Sequence, residues 1–314
     1  MAQLKDRIEN GLNDVRILIL GAQVLIGGGF RMIFEPEFPH LPYATQIAQL
    51  CGLGLMVFGL GLLLFPAAFH QIAERGEETF RIQKLTSAAL DYGLLPFAVG
   101  LAVGIFTVAQ KFAGNSAAWG SAISLGAFAL IFWYGIAYLN SRSSRKDMAE
   151  KNERQNEDEK QHEGTPLTDK IKQVLTETRM VLPGTQALLG FQVVIFLMQD
   201  FDRLPEALKW IHFGSLVAVS ISAVLLIAPA AFHRIAEHGE DSERFHKVAS
   251  RFMLSAMFFL GIGVAGDFDL ITYKITKSSA LALCISGILL LFFYGLWFAY
   301  PGWKRWSEAK AHSR

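Results

Sequence analysis

Two stretches of the chain place a histidine and a glutamate four residues apart, in the pattern His-x-Ile-Ala-Glu-x-Gly. The first stretch contains His70 and Glu74, and the second contains His233 and Glu237. Side chains four residues apart share one face of an α-helix. Histidine is also the side chain whose charge changes nearest to neutral pH. The spacing therefore indicates two proton-sensitive sites, each with a carboxylate beside an imidazole.

An arginine and a glutamine recur upstream of each histidine. The two residues are seven positions apart, which places them on one helical face. We expect them to approach the histidine and glutamate of the same half. The predicted site residues are then Arg16, Gln23, His70, Glu74, Arg179, Gln186, His233 and Glu237. Such sites could gate a pathway or couple proton movement to an ion. In the alternative, arginine–glutamate pairs only fix neighbouring helices and the histidines only anchor them.

Asp91 and Arg251 stand at nearly the same depth in two long apolar runs and carry opposite charges. An acid inside such a run is a functional candidate by default. The position equivalent to Asp91 in the other half holds Leu254, and the one equivalent to Arg251 holds Ala88. We therefore expect an Asp91–Arg251 bridge between the halves.

Long apolar runs must position all of these side chains. Hydrophobic residues make up 52% of the 314 residues and charged residues only 18%, against about 25% in soluble proteins. A membrane-spanning helix needs about 20 mostly apolar residues. The sequence therefore predicts an all-α integral membrane helical bundle with eight transmembrane helices, at residues 17–34, 45–69, 87–110, 117–139, 180–198, 210–232, 252–272 and 279–300.

Lysine and arginine predict the orientation of these helices. With a cytoplasmic N-terminus, 23 of the 29 basic residues lie in inner segments and 6 in outer segments. This excess predicts that both termini are cytoplasmic. The polar N-terminal segment has no short apolar core followed by a cleavage site. We therefore expect the first spanning helix to act as its own insertion signal.

The chain is an internal repeat. A shift of 163 residues superposes the halves without a gap from about residue 12 to residue 100. Each copy has four predicted helices, an even number, so both copies should cross the membrane in the same direction, as parallel repeats do. The predicted domains are a four-helix membrane repeat at 1–140, a charged cytoplasmic linker at 141–168 and a second four-helix membrane repeat at 169–314.

Both halves share a set of spaced motifs: acid-x-Arg, Gly-x-Gln, a short loop with Phe and Leu, and Ala-Pro-x-x-x-His-Arg. The second half has all of them, in Glu177, Arg179, Gly184, Gln186, Phe201, Leu204, Ala228, Pro229, His233 and Arg234. The first half keeps most but has Phe65 and Gln71 where the motif has Ala and Arg. In these motifs each half resembles a bacterial family of small four-helix membrane proteins with a domain of unknown function. The resemblance implies the bacterial inner membrane and favours ion transport.

Other chemistries have less support. Cys51 and Cys284 lie in apolar runs without Cys-x-x-Cys spacing, so no disulfide framework or c-type haem is indicated. Residues 233–246 offer three histidines and four acids that could bind a metal. The first half lacks two of those histidines, which argues against a repeated metal site. A haem held between His70 and His233 has no further feature in its favour.

The leading prediction is an inner-membrane protein of transport or channel type, with no catalytic residues, cofactor or metal. No nucleophile elbow, Walker loop or His-Glu-x-x-His motif is present, so we do not expect an enzyme. The predicted partners are the lipid bilayer and ions or protons, a homo-oligomer is allowed, and a net charge of +1 gives no indication of nucleic acid. The alternative is a non-catalytic membrane scaffold or regulatory subunit that presents cytoplasmic loops to a partner. Transport requires Gln23 and Gln186 to face a wet cavity, whereas a scaffold needs them between helices.

Overall fold

The computed structural model describes residues 2–135, 165–237 and 240–312, and in that part all regular structure is helical. The predicted linker lies outside the described residues from 141 to 164. The first half contains α1 (Ala2–Ile33), α2 (Tyr43–Ile72) and α3 (Phe80–Leu130). The second half contains α4 (Leu167–Phe196), α5 (Glu206–Ile235), α6 (Glu243–Thr276), α7 (Ser279–Tyr294) and α8 (Tyr300–His312). One-turn helices at Phe38–His40 and Gln199–Asp202, and π-helical turns at Ile131–Gly135 and Gly295–Ala299, complete the described elements.

Seven helical segments of the described residues are long and apolar enough to cross a membrane. Their outward faces carry large apolar side chains, including Trp210, Leu283 and Leu291, which suit contact with lipid. The all-α prediction is confirmed for this part of the chain. The number of apolar segments is seven instead of the predicted eight because the third and fourth predicted spans fall within α3.

The long helix α3 reverses direction at Gly114. The backbone there has φ 80° and ψ −178°, a conformation open to glycine but not to residues with a side chain. The rings of Phe106 and Trp119 are only 5.0 Å apart, and the Tyr134 hydroxyl donates a hydrogen bond to the carbonyl of Asp91. In a straight helix those last two residues would be about 65 Å apart. Hence α3 consists of two antiparallel segments, which correspond to the two predicted spans.

Glycines allow close packing of the helices at the centre of the bundle. A Cβ atom on Gly27 of α1 would lie 2.3 Å from the ring of Phe191 on α4. A Cβ on Gly184 of α4 would likewise collide with Gln23 of α1. Small residues at such contacts let two helix backbones approach each other. The pair α1–α4 therefore joins the two halves along the middle of the molecule.

The second helix of each half has a different position in the bundle. In α2, 67% of an apolar 18-residue segment is buried, against 39% of the corresponding segment in its repeat counterpart α5. The second half covers α2 from the other side, since the indole of Trp297 donates a 2.9 Å hydrogen bond to the carbonyl of Gly61. Phe58 and Phe292 also stack there, with ring centroids 4.8 Å apart. As a result, α2 is an inner helix, whereas α5 is more peripheral.

We call the end of the bundle with residues 73–79 and Thr165 the linker end. The end with Phe38–His40 and Lys277 is called the far end. By the charge distribution described above, the linker end is the one predicted to be cytoplasmic.

Candidate functional site

A buried histidine–carboxylate pair lies near the linker end, where α2 meets α4. His70 Nδ1 is 2.6 Å from Glu177 Oε1, and the two side chains are 3% and 0% exposed. His70 belongs to the first repeat and Glu177 to the second. The pair therefore exists only because the two halves pack against each other.

Two further side chains complete the hydrogen bonding of this pair. Gln71 Nε2 donates to Glu177 Oε2 at 2.5 Å, and Ser250 Oγ of α6 donates to Gln71 Oε1 at 2.5 Å. Both carboxylate oxygens of Glu177 thus accept hydrogen bonds, which suits the ionised form with His70 Nδ1 as donor. Nε2 of His70 is buried without a hydrogen-bond partner among the described groups.

The end of α2 is shaped by proline and glycine. Pro66 lies inside the helix, four residues before His70, and removes a backbone hydrogen bond there. After Ile72 the chain turns, and the Gly76 amide donates to the His70 carbonyl at 3.1 Å. Gly76 has φ +81°, and a Cβ there would lie 2.7 Å from His246 Nε2. The turn therefore needs glycine for both its conformation and the room it leaves to His246.

The start of α4 holds the 73–79 loop in place. Lys170 forms an ion pair with Glu77, and the amide of Thr165 donates to Glu77 Oε2 at 2.7 Å. In return, the amide of Glu78 donates to Thr165 Oγ1 at 2.9 Å. Burial acts to raise the pKa of Glu77, but the hydrogen bonds from Lys170 and Thr165 prevail, and the pKa is lowered from its usual value. We call this set of bonds the loop clasp.

The predicted partner of His70, Glu74, instead forms an ion pair with Arg81. Arg81 Nη1 lies 3.2 Å from Glu74 Oε1 and 2.8 Å from Glu308 Oε1. Burial raises the pKa of the Glu74 carboxyl from its usual value, while the charge of Arg81 acts to lower it. The Glu74 side chain remains near the histidine, between the buried pair and the linker end.

The repeat-related histidine has a different environment. His233 is 21% exposed, and its Nε2 is 3.7 Å from Asp241 Oδ1. Glu237 accepts a 2.9 Å hydrogen bond from Ser242 Oγ. The residue equivalent to Glu177 is Asp14, which is exposed on α1. The two predicted sites are therefore not equivalent, and only the His70 site is buried.

The predicted arginines and glutamines do not join the histidines. Arg16 and Arg179 are both exposed. Gln23 is fully buried against Gly184, and neither polar atom of its amide has a hydrogen-bond partner among the described groups. Gln186, its repeat counterpart, is exposed. The seven-residue spacing places each pair on one helical face, but the packing of α1 on α4 directs the two glutamines differently.

The Asp91–Arg251 bridge is not formed. Both side chains are exposed, and no ion pair joins them in the part of the chain that the structure describes. Equal depth in two helices does not specify the directions in which their side chains point. The expected bridge between the halves is replaced by the His70–Glu177 pair, which the sequence argument did not identify.

A second buried polar cluster lies in the second half, toward the far end. His212 Nδ1 is 3.0 Å from Asp267 Oδ1, and Gln192 Nε2 donates to Asp267 Oδ2 at 2.6 Å. His212 Nε2 also lies 3.1 Å from the backbone carbonyl of Gln192. All three side chains are buried. Sequence reasoning missed this cluster because it searched for residues repeated in both halves, although a histidine and an aspartate within apolar runs were a usable signal.

No group of three or more metal-binding side chains occurs among the described residues. The histidine-rich stretch 233–246 is described only in part, since His238 and Gly239 lie outside the described residues. Cys51 and Cys284 are free and exposed on the helix surfaces.

Apolar helices of spanning length, with ionisable pairs buried among them, define the class of multi-pass membrane proteins. The chain belongs to the Family of unknown function (DUF6328), whose model matches it twice, at residues 2–137 and 161–301. The double match shows that the chain is a tandem duplication of that family's unit. No protein of curated function and no solved structure matches the chain.

Proposed function

We propose that the protein is a proton-linked ion transporter or channel of the bacterial inner membrane, with eight spans and both termini in the cytoplasm. The single observation that carries this proposal is the His70–Glu177 pair, which is buried among helices of membrane-spanning length. Ionisable side chains are costly in such positions and commonly mark ion or proton pathways.

The pair can hold and release one proton. Protonated His70 and ionised Glu177 form a neutral ion pair, and loss of a proton from the imidazolium leaves one negative charge on the carboxylate. Glu177 then remains stabilised by the hydrogen bond from Gln71. A buried site that changes charge in this way can couple proton binding to the binding or release of another ion.

Glu74 supports access to this site from the linker end. Its carboxyl lies outside the apolar spans, and burial raises its pKa from the usual value, which favours proton uptake by the carboxylate. The ion pair with Arg81 holds it between His70 and solvent. In this proposal, Glu74 transfers protons between the cytoplasm and His70.

Flux measurements in proteoliposomes test the proposal. A pH-sensitive dye is enclosed, and Na⁺ or K⁺ gradients are imposed with the wild type, His70→Gln and His233→Gln. We expect flux in the wild type, a loss of about 100-fold in His70→Gln, as for removal of a proton-transfer group, and near-normal flux in His233→Gln. His233 is the matched control because it occupies the same repeat position at the protein surface.

Stability must be compared in the same variants. Thermal unfolding in detergent shows whether His70→Gln is folded, and Glu177→Gln provides an independent variant of the same pair. If His70→Gln and Glu177→Gln both retain the flux of the wild type, the proposed role of the pair is contradicted. Absence of flux from folded wild-type protein under every gradient would contradict transport itself.

A membrane scaffold or regulatory subunit is the second candidate function. Gln23 of α1 favours it, because its side chain packs against Gly184 of α4 at the contact between the two halves. The exposed arginines Arg16, Arg179 and Arg234 also leave cations on the protein surface. Co-purification from native membranes distinguishes this function: a stable partner that is lost on Arg179→Ala and Arg234→Ala substitution, together with absent flux, supports the scaffold.

A further inference from the structure

The second buried cluster has the same chemistry as the first. His212 and Asp267 form a histidine–carboxylate pair at 3.0 Å, and Gln192 donates to the free carboxylate oxygen as Gln71 does in the first pair. A buried charge pair of this kind is weak evidence for stability, since well-packed apolar side chains often stabilise as much. Two such pairs in one bundle therefore call for a functional explanation.

Helix α4 connects the two pairs. Glu177 belongs to the pair near the linker end and Gln192 to the cluster nearer the far end. The two residues are 15 positions apart, which corresponds to about 22 Å along the helix axis. One helix therefore contributes to ionisable sites at two depths of the bundle.

Gln23 lies about midway between the two pairs. It packs on Gly184, which is seven residues from Glu177 and eight from Gln192. Both polar atoms of its amide are buried without a hydrogen-bond partner among the described groups. A buried amide left in that state costs about 1–3 kcal/mol, so selection for stability alone would favour an apolar residue there.

We propose that His212 and Asp267 form a second protonation site, and that a single proton route follows α4 from His70–Glu177 past Gln23 to this site. This inference rests on the proposed function. The distances exceed those of a direct proton transfer, so water carries the proton along the segments between the pairs, and the Gln23 amide orients that water. At each pair one proton enters from water on one side and leaves to water on the other, so that the pair returns to its starting state.

The far end supplies charged groups around the entrance to this route. A pocket of about 350 Å³ there is lined by Asp200, Arg203 and Lys274, among others. Asp200 pairs with Lys274 at 2.6 Å and with Arg203 at 3.3 Å. The Phe201 ring lies against His212, with centroids 5.6 Å apart. Asp200 precedes Phe201 in the chain, and a further buried carboxyl, Asp269, lies two positions from Asp267 on α6.

The first half lacks an equivalent of this site. Under the same 163-residue shift, Gln49 stands for His212, Gly104 for Asp267 and Gly29 for Gln192. Gln49 accepts a 3.0 Å hydrogen bond from the neutral hydroxyl of Thr107. The chain should therefore contain one route, although its sequence is duplicated.

Flux at controlled pH on each face tests the second site. The wild type is compared with His212→Gln, which introduces the residue of the other repeat, and with Asp267→Asn. The matched control is Gln49→Leu, which removes the neutral polar pair at the equivalent position. We expect flux to fall about 100-fold in the first two variants and to stay within about twofold in the control. We also expect the residual flux of His212→Gln to lose its dependence on far-end pH while it keeps the dependence on linker-end pH.

The outcomes separate this inference from the proposed function. If the wild type shows flux and both His212→Gln and Asp267→Asn leave it unchanged, the second site is overturned, while the transport proposal stands. Absence of flux in the folded wild type would contradict both the second site and the proposed transport function. A variant with lower flux and unaltered pH dependence assigns His212 a packing role only, and overturns the inference as well. If Asp267→Asn does not fold, His212→Gln alone decides.

Gln23→Leu tests the middle of the route by a different combination of results. If Gln23 has only a structural role, Gln23→Leu should leave the stability unchanged or raise it, and the flux should not change. If the Gln23 amide orients water, Gln23→Leu should have the same effect on stability but should lower the flux about tenfold or more. The control is Gln186→Leu at the exposed repeat position, where neither property should change.

Discussion

The two histidine loops have closely similar sequences and very different surroundings. Residues 65–78 and 228–241 share the Pro-Ala-Ala-Phe-His and Ile-Ala-Glu segments. Yet His70 is 3% exposed and paired with Glu177, whereas His233 is 21% exposed and lies 3.7 Å from Asp241. The local sequence therefore does not determine whether the histidine is buried.

The neighbouring helices account for the difference. His70 is carried by α2, which the second half covers through Trp297 and Phe292. His233 belongs to α5, whose apolar segment is much less buried than that of α2. After a duplication, one copy can keep a charged site in the interior while the other adapts to the surface. Arg234 follows the histidine of the exposed loop, whereas Gln71 follows the histidine of the buried loop.

The largest expected difference between the loops is in stability. His70→Leu leaves the Glu177 carboxylate buried without its main partner, and we expect the free energy of unfolding to fall by about 3–5 kcal/mol. His233→Leu removes a partly exposed contact and should cost less than about 1 kcal/mol. Denaturant unfolding in detergent micelles measures both. Equal losses would show that the two histidines have similar environments, contrary to the structure.

The glycines of the central helix pair allow a second comparison. A Cβ on Gly184 would lie 2.9 Å from the Cβ of Gln23, whereas nothing lies within 4 Å of a Cβ on Gly21, its repeat counterpart. We expect Gly184→Ala to lower stability by about 1–3 kcal/mol, as overpacking does. Gly21→Ala should be neutral or raise it by up to about 1 kcal/mol through helix propensity.

A double-mutant cycle sharpens that prediction. If the loss in Gly184→Ala comes from Gln23, then Gln23→Gly, which removes the Cβ as well, should reduce that loss, and unfolding measurements on the double variant give the coupling. A loss that persists in the double variant would place the collision elsewhere on α1. The same experiment reports whether α1 and α4 form the tight contact between the halves.

Much of the fold could be predicted from the sequence because lipid imposes simple requirements. A spanning segment must be apolar, helical and about 20 residues long, so the helices and the repeat were found from composition and spacing. The third and fourth predicted spans fall on the two segments of α3 on either side of Gly114, which joins them without a loop. The family assignment likewise followed from spaced motifs such as Gly184 and Gln186.

The site was only partly predictable because its key contact joins the two halves. His70 was identified, but its partner was expected to be Glu74, four residues away, and the true partner Glu177 lies on another helix. Spacing along one helix reports which residues share a face and not what that face packs against. His212 and Asp267 were overlooked for a related reason, since neither is repeated in the first half.

The smallest expected effect distinguishes the two loops at their surfaces. The folded pKa of Glu77 is lower than its unfolded value, so its clasp with Lys170 stabilises the loop fully above the usual value of 4.5 and is lost as the pH falls through the folded pKa. The Glu77 side chain is 37% exposed, so Lys170→Ala should cost only about 0.5 kcal/mol at neutral pH. Hydrogen exchange at the amides of Glu78 and Thr165 measures it, because both amides donate within the clasp.

The control for the loop clasp is Lys247→Ala in the second half. Lys247 lies 3.6 Å from Glu243, and both side chains are about two-thirds exposed, at 68% and 67%. We expect this substitution to leave exchange unchanged at any pH. In contrast, protection of the clasp amides in the wild type should fall to that of Lys170→Ala once Glu77 is protonated. Protection that is the same in the wild type and Lys170→Ala at neutral pH would mean that packing alone holds the 73–79 loop.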